Sequence, residues 1–137
     1  MNVNKVASEV YELEKNSAFS ENDIHEAVRQ LRPNYVFFDI SYDGNYNFNT
    51  FKDSSGLGPP TTEEINNQLK YQKEVAEYYQ YAYDRCKDYP DGFEQFDMLW
   101  HAINNEENLK TSKWFLKIKE IKEKYPKPNI NPPIKEK

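Results

Sequence analysis

One stretch decides the fold class: residues 35–51, with the sequence YVFFDISYDGNYNFNTF. Both halves are rich in β-branched and aromatic residues, and apolar and polar side chains alternate in the second half. The Asp-Gly-Asn segment between them, residues 43–45, is typical of a turn. The stretch therefore predicts a β-hairpin.

The length of the turn follows from the side chains that it brings together. A two-residue turn would place asparagines opposite the apolar side chains of the first strand. A three-residue turn places Tyr42 opposite Tyr46 and Ile40 opposite Phe48, so the apolar side chains share one face. We therefore predict a three-residue turn, with Asn45 in the left-handed conformation.

Helical patterns lie on both sides of the hairpin. Ser20 and Asp23 form a near capping box before one of them, and two prolines followed by Thr-Thr-Glu-Glu open the longest. Ser112 is placed to cap the last helix, and prolines dictate an extended chain beyond it. Apolar residues at intervals of three and four predict helices at residues 3–13, 20–31, 62–87, 93–103 and 112–125.

These elements predict an α+β fold. Short N-terminal helices and a β-hairpin precede a long helix, which a C-terminal helical hairpin and an extended Pro-rich tail follow. We expect Trp100 and Trp114 to pack in the seam of the helical hairpin. A chain of 137 residues has the size of one structural domain. Its segments are 1–60 (N-terminal helices and hairpin), 61–88 (long helix), 89–128 (helical hairpin) and 129–137 (tail).

The charge is distributed unevenly along the chain. The net charge is -5, yet residues 110–137 hold 3 acids and 9 bases. A basic end on an acidic body can bind nucleic acid, or it can pair head-to-tail with a neighbouring subunit. No stretch is apolar enough for a membrane span, and the N-terminus lacks the layout of a signal peptide, so we expect no membrane association.

The long helix has an apolar arc of about half its circumference, wider than the stripe of about 100° that a surface helix needs. Seven of its residues, from Ile65 to Cys86, follow a 4-3 heptad rhythm with one polar interruption. The excess width is explained either by a core within the chain or by packing against another chain. The interface residues that we predict are Tyr71, Tyr78, Tyr79, Tyr83, Lys117 and Lys124.

No catalytic, cofactor or metal site is predicted. His25 and His101 stand in no metal-ligand spacing, and we expect Cys86 to be a buried small apolar residue rather than a nucleophile. The glycines of residues 56–58 do not form a phosphate loop, because two prolines follow them and no Lys-Ser/Thr does. The chain is therefore predicted not to be an enzyme.

Lysines and aromatic residues are mixed in residues 110–127, which raises the possibility of single-stranded nucleic acid as a partner. Arginine is absent there, and the aromatic residues repeat at the spacing of a helical core. A solvated lysine face over a packed seam is the better interpretation of the two.

Several short motifs are distributed along the chain: AVRQLRP (27–33), the hairpin, PTTEEI (60–65), Tyr89-Pro90, QFDMLWHAI (95–103), Trp114-Phe115 and IKEIKEKYPKP (118–128). With these motifs, the second half of the chain resembles a signature of small tailed-bacteriophage proteins. The first half is similar to small phage tail-region proteins, and the resemblance extends over about residues 22–128. The chain departs from the pattern in its longer loop at residues 54–58 and its additional N-terminal helix, so its mode of docking can differ from that of the proteins it resembles.

The resemblance implies a non-enzymatic virion structural protein, part of the tail or tail fibres or attached to them. Its partners would be other phage structural proteins (tail, fibre, adaptor or capsid) and further copies of itself. Such a protein would be assembled in the host cytoplasm and located in the virion. The alternatives are a tail-fibre assembly chaperone, a capsid decoration protein and a small nucleic-acid-binding protein.

Overall fold

The computed structural model describes residues 19–135 of the chain. The α+β class predicted from the sequence is confirmed. The helix predicted at residues 3–13 lies outside the described residues. In chain order the elements are α1 (Glu21–Leu31), β1 (Tyr35–Tyr42), β2 (Tyr46–Asp53), α2 (Thr62–Asp88), α3 (Gly92–Asn104), a short 3-10 helix (Leu109–Thr111) and α4 (Lys113–Lys124).

The chain divides into two compact units. Of the described residues, the first comprises 19–74 together with Lys135, and the second comprises Val75–Ile134. The division falls inside α2, so each unit contains part of the long helix. The four segments predicted from the sequence stay a prediction.

The hairpin has the predicted register. Tyr42 pairs with Tyr46 and Ile40 pairs with Phe48, which confirms the three-residue turn. The left-handed residue was predicted wrongly: Gly44 has a φ of 110°, and it takes that conformation because it has no Cβ. Asn45 instead donates its backbone N–H to the Asp43 side chain (3.2 Å), in an Asx turn.

The core of the first unit forms where α1, the hairpin and the start of α2 meet. Phe48 contacts Phe38 and Phe51 edge to face, at centroid distances of 6.0 and 5.4 Å. Aromatic residues of the hairpin therefore complete a core whose aliphatic residues are few. The buried residues of this core are Ile24, Ala27, Val28, Ile40, Tyr46, Ile65 and Leu69.

Reciprocal capping boxes start both helices of this unit. The Ser20 hydroxyl accepts from the backbone N–H of Asp23, whose carboxylate accepts from Ser20 N–H, both at 3.2 Å. Thr61 and Glu64 repeat the arrangement at 3.1 and 2.7 Å. The Thr61 N–H, assisted by the Arg32 guanidinium, lowers the pKa of Glu64. Capping thus begins α1 and α2 where the sequence predicted.

The second unit contains a helical pair. Helices α3 and α4 pack against each other, and their buried residues are Ala102 and Ile121. The predicted cap of α4 is confirmed, since the Ser112 hydroxyl accepts from Phe115 N–H at 3.3 Å. Residues 125–135 form neither helix nor strand, as the prolines predicted.

Candidate functional site

Four large apolar side chains of α3 form an exposed row, which we call the aromatic face. Phe93 is 90% exposed, Phe96 72%, Trp100 58% and Ile103 61%. Their spacing of three, four and three residues places them along one side of the helix. With Leu99 and Asp97 they line a shallow groove. Contiguous exposed apolar surface of this kind marks interaction sites more often than isolated exposed residues do.

The exposure of Trp100 corrects the prediction that this ring packs in the helical seam. Helix α3 turns a different face inward: Ala102 is buried, and Gln95, Met98 and Leu99 are half-buried. These four residues also follow helical spacing, and that stripe was the signal available in the sequence. Trp114 is half-buried, so the predicted packing in the helical seam fits Trp114 better than Trp100.

Both ends of α3 are fixed by local hydrogen bonds. Asp91 caps the start, accepting from Glu94 N–H at 2.9 Å. At the end, Glu107 N–H donates to Ala102 O (2.9 Å) and Glu106 N–H to Ile103 O (3.1 Å), which is a Schellman motif. These contacts fix the residues at which α3 begins and ends. Glu106 has a φ of 54°, the left-handed conformation that glycine usually occupies.

The tyrosines predicted as interface residues occupy different environments on α2. Tyr78 is buried, with edge-to-face contacts to Tyr79 (4.9 Å) and Tyr81 (6.2 Å). Tyr71 is half-buried. Of these four tyrosines, only Tyr79 and Tyr83 are exposed.

The residues of the heptad pattern in α2 differ in burial between the start and the end of the helix. Its first members, Ile65 and Leu69, lie in the core of the first unit. Its last members are exposed: Ala76, Tyr79, Tyr83 and Cys86. The prediction that Cys86 is buried is therefore wrong, because the apolar arc of α2 is wider than the surface that the second unit covers.

A polar cluster joins the end of α2 to the end of α4. The Arg85 guanidinium donates to Tyr125 O (2.8 Å) and Lys122 O (3.2 Å), carbonyls that the helix end leaves free. Asp88 accepts from Lys124 Nζ (2.7 Å) and from the Tyr125 hydroxyl (2.9 Å). These two hydrogen bonds lower the pKa of Asp88, and the same carboxylate raises the pKa of Lys124. The cluster fixes the point from which the C-terminal residues leave the unit.

The two predicted interface lysines differ in their contacts. Lys124 is held by Asp88 within the unit. Lys117 is exposed and lies 3.5 Å from Glu120 on the same helix. An exposed pair of this kind contributes little to stability. Lys117 therefore remains accessible to a partner, and Lys124 has a contact within the chain.

The two histidines lie in different surroundings. The His25 ring lies against Phe38 at 4.8 Å, and burial lowers the pKa of His25. His101 is exposed and lies 3.6 Å from Asp97. Within residues 19–135, no three His, Cys, Asp or Glu side chains are grouped to hold a metal ion. None of the helices in that range combines the length and apolar composition needed to cross a membrane.

Comparison with protein-family models, with curated proteins and with solved structures gives no significant match to this chain.

Proposed function

We propose that the chain is a non-enzymatic structural protein of a tailed-bacteriophage virion, part of the tail or tail fibres or attached to them, which acts through protein–protein assembly. The aromatic face carries the assembly part of this proposal. The bacteriophage part rests on the resemblance of residues 22–128 to small phage tail-region proteins.

The exposed surface favours assembly on energetic grounds. Fully burying one large apolar side chain contributes about 1.5–3 kcal/mol. Four such side chains stand in one row on α3, and Tyr79 and Tyr83 add exposed rings on α2. A partner that covers the row gains several kcal/mol, and aromatic residues are the type enriched at the centres of interfaces.

Mass spectrometry of purified virions tests this function. Particles of the phage that encodes the chain are purified through two density gradients and compared with the lysate. We expect peptides of the chain to co-purify with the major structural proteins at a constant ratio. Absence from the particles, with the chain present in the lysate, would contradict a virion role.

That contradicting result would favour the alternative of a tail-fibre assembly chaperone. A second sample distinguishes a capsid decoration protein from a tail protein. DNA-filled heads isolated without tails contain a decoration protein and lack a tail component. Binding to nucleic acid is tested by gel shift at low and moderate salt, since contacts to phosphate weaken as salt rises.

A further inference from the structure

The residues after α4 form an extended segment with its own exposed apolar side chains. We call residues 126–134 the strap; its sequence is PKPNINPPI. Ile130 is 69% exposed and Ile134 is 83% exposed. Proline at four of its nine positions favours an extended polyproline conformation, which loses little entropy on binding.

The strap does not cover the aromatic face of its own chain. Phe93 and Phe96 are largely exposed, and so are the two isoleucines of the strap. The Arg85 and Asp88 contacts hold the preceding residues, Lys124 and Tyr125, to the end of α2. The second unit thus presents two apolar surfaces, a row of rings and an extended proline-rich segment, and neither is covered.

The two surfaces match in chemistry. Proline-rich extended segments are bound in grooves lined by aromatic residues. Ile130 and Ile134 stand about 12 Å apart at roughly 3.1 Å per residue of an extended chain. Phe93 and Trp100 stand about 10 Å apart along α3 at roughly 1.5 Å per residue. Two isoleucines can therefore contact successive parts of the row at once.

Their charges are also opposite. Asp91, Glu94 and Asp97 are all exposed and lie in or just before the first half of α3. From residue 126 onward the sequence holds three lysines and one glutamate. Pairing two aromatic faces with their helices parallel would instead bring the carboxylates of both copies together, which opposes binding.

We propose that the strap of one copy binds the aromatic face of a second copy. This inference deepens the proposed function, on which it rests, by naming the partner and the two surfaces. The contact is head-to-tail, so every copy gives one strap and receives one. Such contacts close as a reciprocal exchange between two copies or as a ring, or they extend as a filament.

The contact is weak when it acts alone. Helix α3 has 13 residues and is therefore about 20 Å long. A strap along it covers a few hundred Å² on each partner, less than the approximately 800 Å² of a standard interface. We expect a Kd between about 10 μM and 1 mM for the isolated contact, with tighter association where several contacts close together.

A peptide titration tests the contact directly. The full chain with Ile130→Ser and Ile134→Ser in its own strap is titrated with a fluorescent wild-type peptide of residues 126–137, and binding is followed by anisotropy. We expect saturable binding below about 1 mM, weakened at least tenfold by Phe96→Ser with Trp100→Ser, both exposed positions. The matched control is Leu116→Ser, an exposed apolar residue of α4 outside the face, which leaves binding unchanged. Circular dichroism confirms that each variant is folded.

A second peptide, which carries Ile130→Ser and Ile134→Ser, tests the contribution of the strap's apolar side chains. We expect it to bind at least tenfold more weakly than the wild-type peptide. No saturable binding by the folded chain that carries the two substitutions in its strap overturns the proposal. Binding to that chain together with a strictly monomeric wild-type chain also overturns it, because the strap then covers its own α3. If the variant with Phe96→Ser and Trp100→Ser binds the peptide as tightly as the Leu116→Ser control does, the peptide binds outside the aromatic face. That result also overturns the proposal.

The outcome is separable from that of the proposed function. Peptide binding by a chain that is absent from virions overturns the virion role alone. Presence in virions without peptide binding overturns the strap contact alone.

Discussion

Replacement of Arg85 by alanine is expected to destabilise the second unit strongly. The guanidinium donates to two backbone carbonyls at the end of α4, at 2.8 and 3.2 Å, and lies 4.9 Å from the centre of the Tyr81 ring. Hydrogen bonds with a charged partner contribute about 1.5–3 kcal/mol each. A partly exposed cation–π contact adds about 0.5–1 kcal/mol. Water can reach the freed carbonyls, so we expect a loss of about 2–4 kcal/mol in the free energy of unfolding.

Urea denaturation followed by tryptophan fluorescence measures this loss. Trp100 and Trp114 both lie in the second unit, so their emission reports the unit that contains Arg85. Arg85→Lys keeps the charge and loses the two-pronged geometry, and it is expected to give an intermediate value. The control is Lys119→Ala, which removes an exposed contact of 3.7 Å to Glu123 and costs less than about 1 kcal/mol.

An Arg85→Ala variant within about 0.5 kcal/mol of the wild type would refute the reasoning. The guanidinium would then not stabilise the end of α4, and the strap would have no fixed origin. A loss equal to that of Lys119→Ala would have the same meaning.

Three further predictions concern single residues. Burial lowers the pKa of His25 below 6.5, so as the pH falls this histidine binds a proton in the unfolded chain before it does so in the folded chain. The free energy of unfolding therefore falls as the pH drops through 6.5 toward the lowered pKa. Thermal melts from pH 7.5 to 5 are expected to show this loss in the wild type and a smaller one in His25→Gln. Hydrogen bonds from Lys124 and Tyr125 lower the pKa of Asp88, so the contribution of Asp88 to the free energy of unfolding is complete above pH 3.8. That contribution is lost as the pH falls through the lowered pKa of the folded chain. Asp88→Asn is expected to be less stable than the wild type at pH 7, by a difference that shrinks as the pH falls below 3.8; a constant difference would contradict the assignment. Glu106→Gly relieves a left-handed backbone and is expected to raise the free energy of unfolding by about 1 kcal/mol in urea, whereas Glu107→Gly does not.

The hairpin and the helix starts could be predicted because short-range rules determine them. Opposite strands must place apolar side chains on one face, and that requirement alone selected the pairing of Tyr42 with Tyr46. Helix caps depend on residues three positions apart, so Ser20 and Ser112 were identifiable from their neighbours.

The aromatic face could not be predicted because α3 carries two apolar stripes. One contains Phe93 and Trp100, and the other contains Met98 and Ala102. Hydrophobicity favoured the aromatic stripe for the core, yet the smaller residues pack against α4. A close helical pair accommodates small side chains between its axes, and the rings remain outside. Spacing within one helix does not decide which of two faces a neighbouring helix contacts.

The remaining differences between the predicted and the observed structure concern single residues. Gly44 takes the left-handed position that Asn45 was expected to occupy, since glycine adopts it without steric cost. The left-handed Glu106 had no signal in the sequence, because glutamate is unusual there. Cys86 lies on the apolar arc of α2 at a position that no described element covers, and only tertiary structure shows this.

The mass of the purified protein in solution tests the central claim, that the chain assembles through the aromatic face. Sedimentation velocity is measured from about 5 to 500 μM, on the wild type and on the variant with Phe96→Ser and Trp100→Ser. We expect the wild-type mass to rise above the 16.3 kDa of one chain as concentration increases, and the variant to remain at that mass. A wild type that stays at 16.3 kDa throughout, or an equal rise in both proteins, would contradict the account.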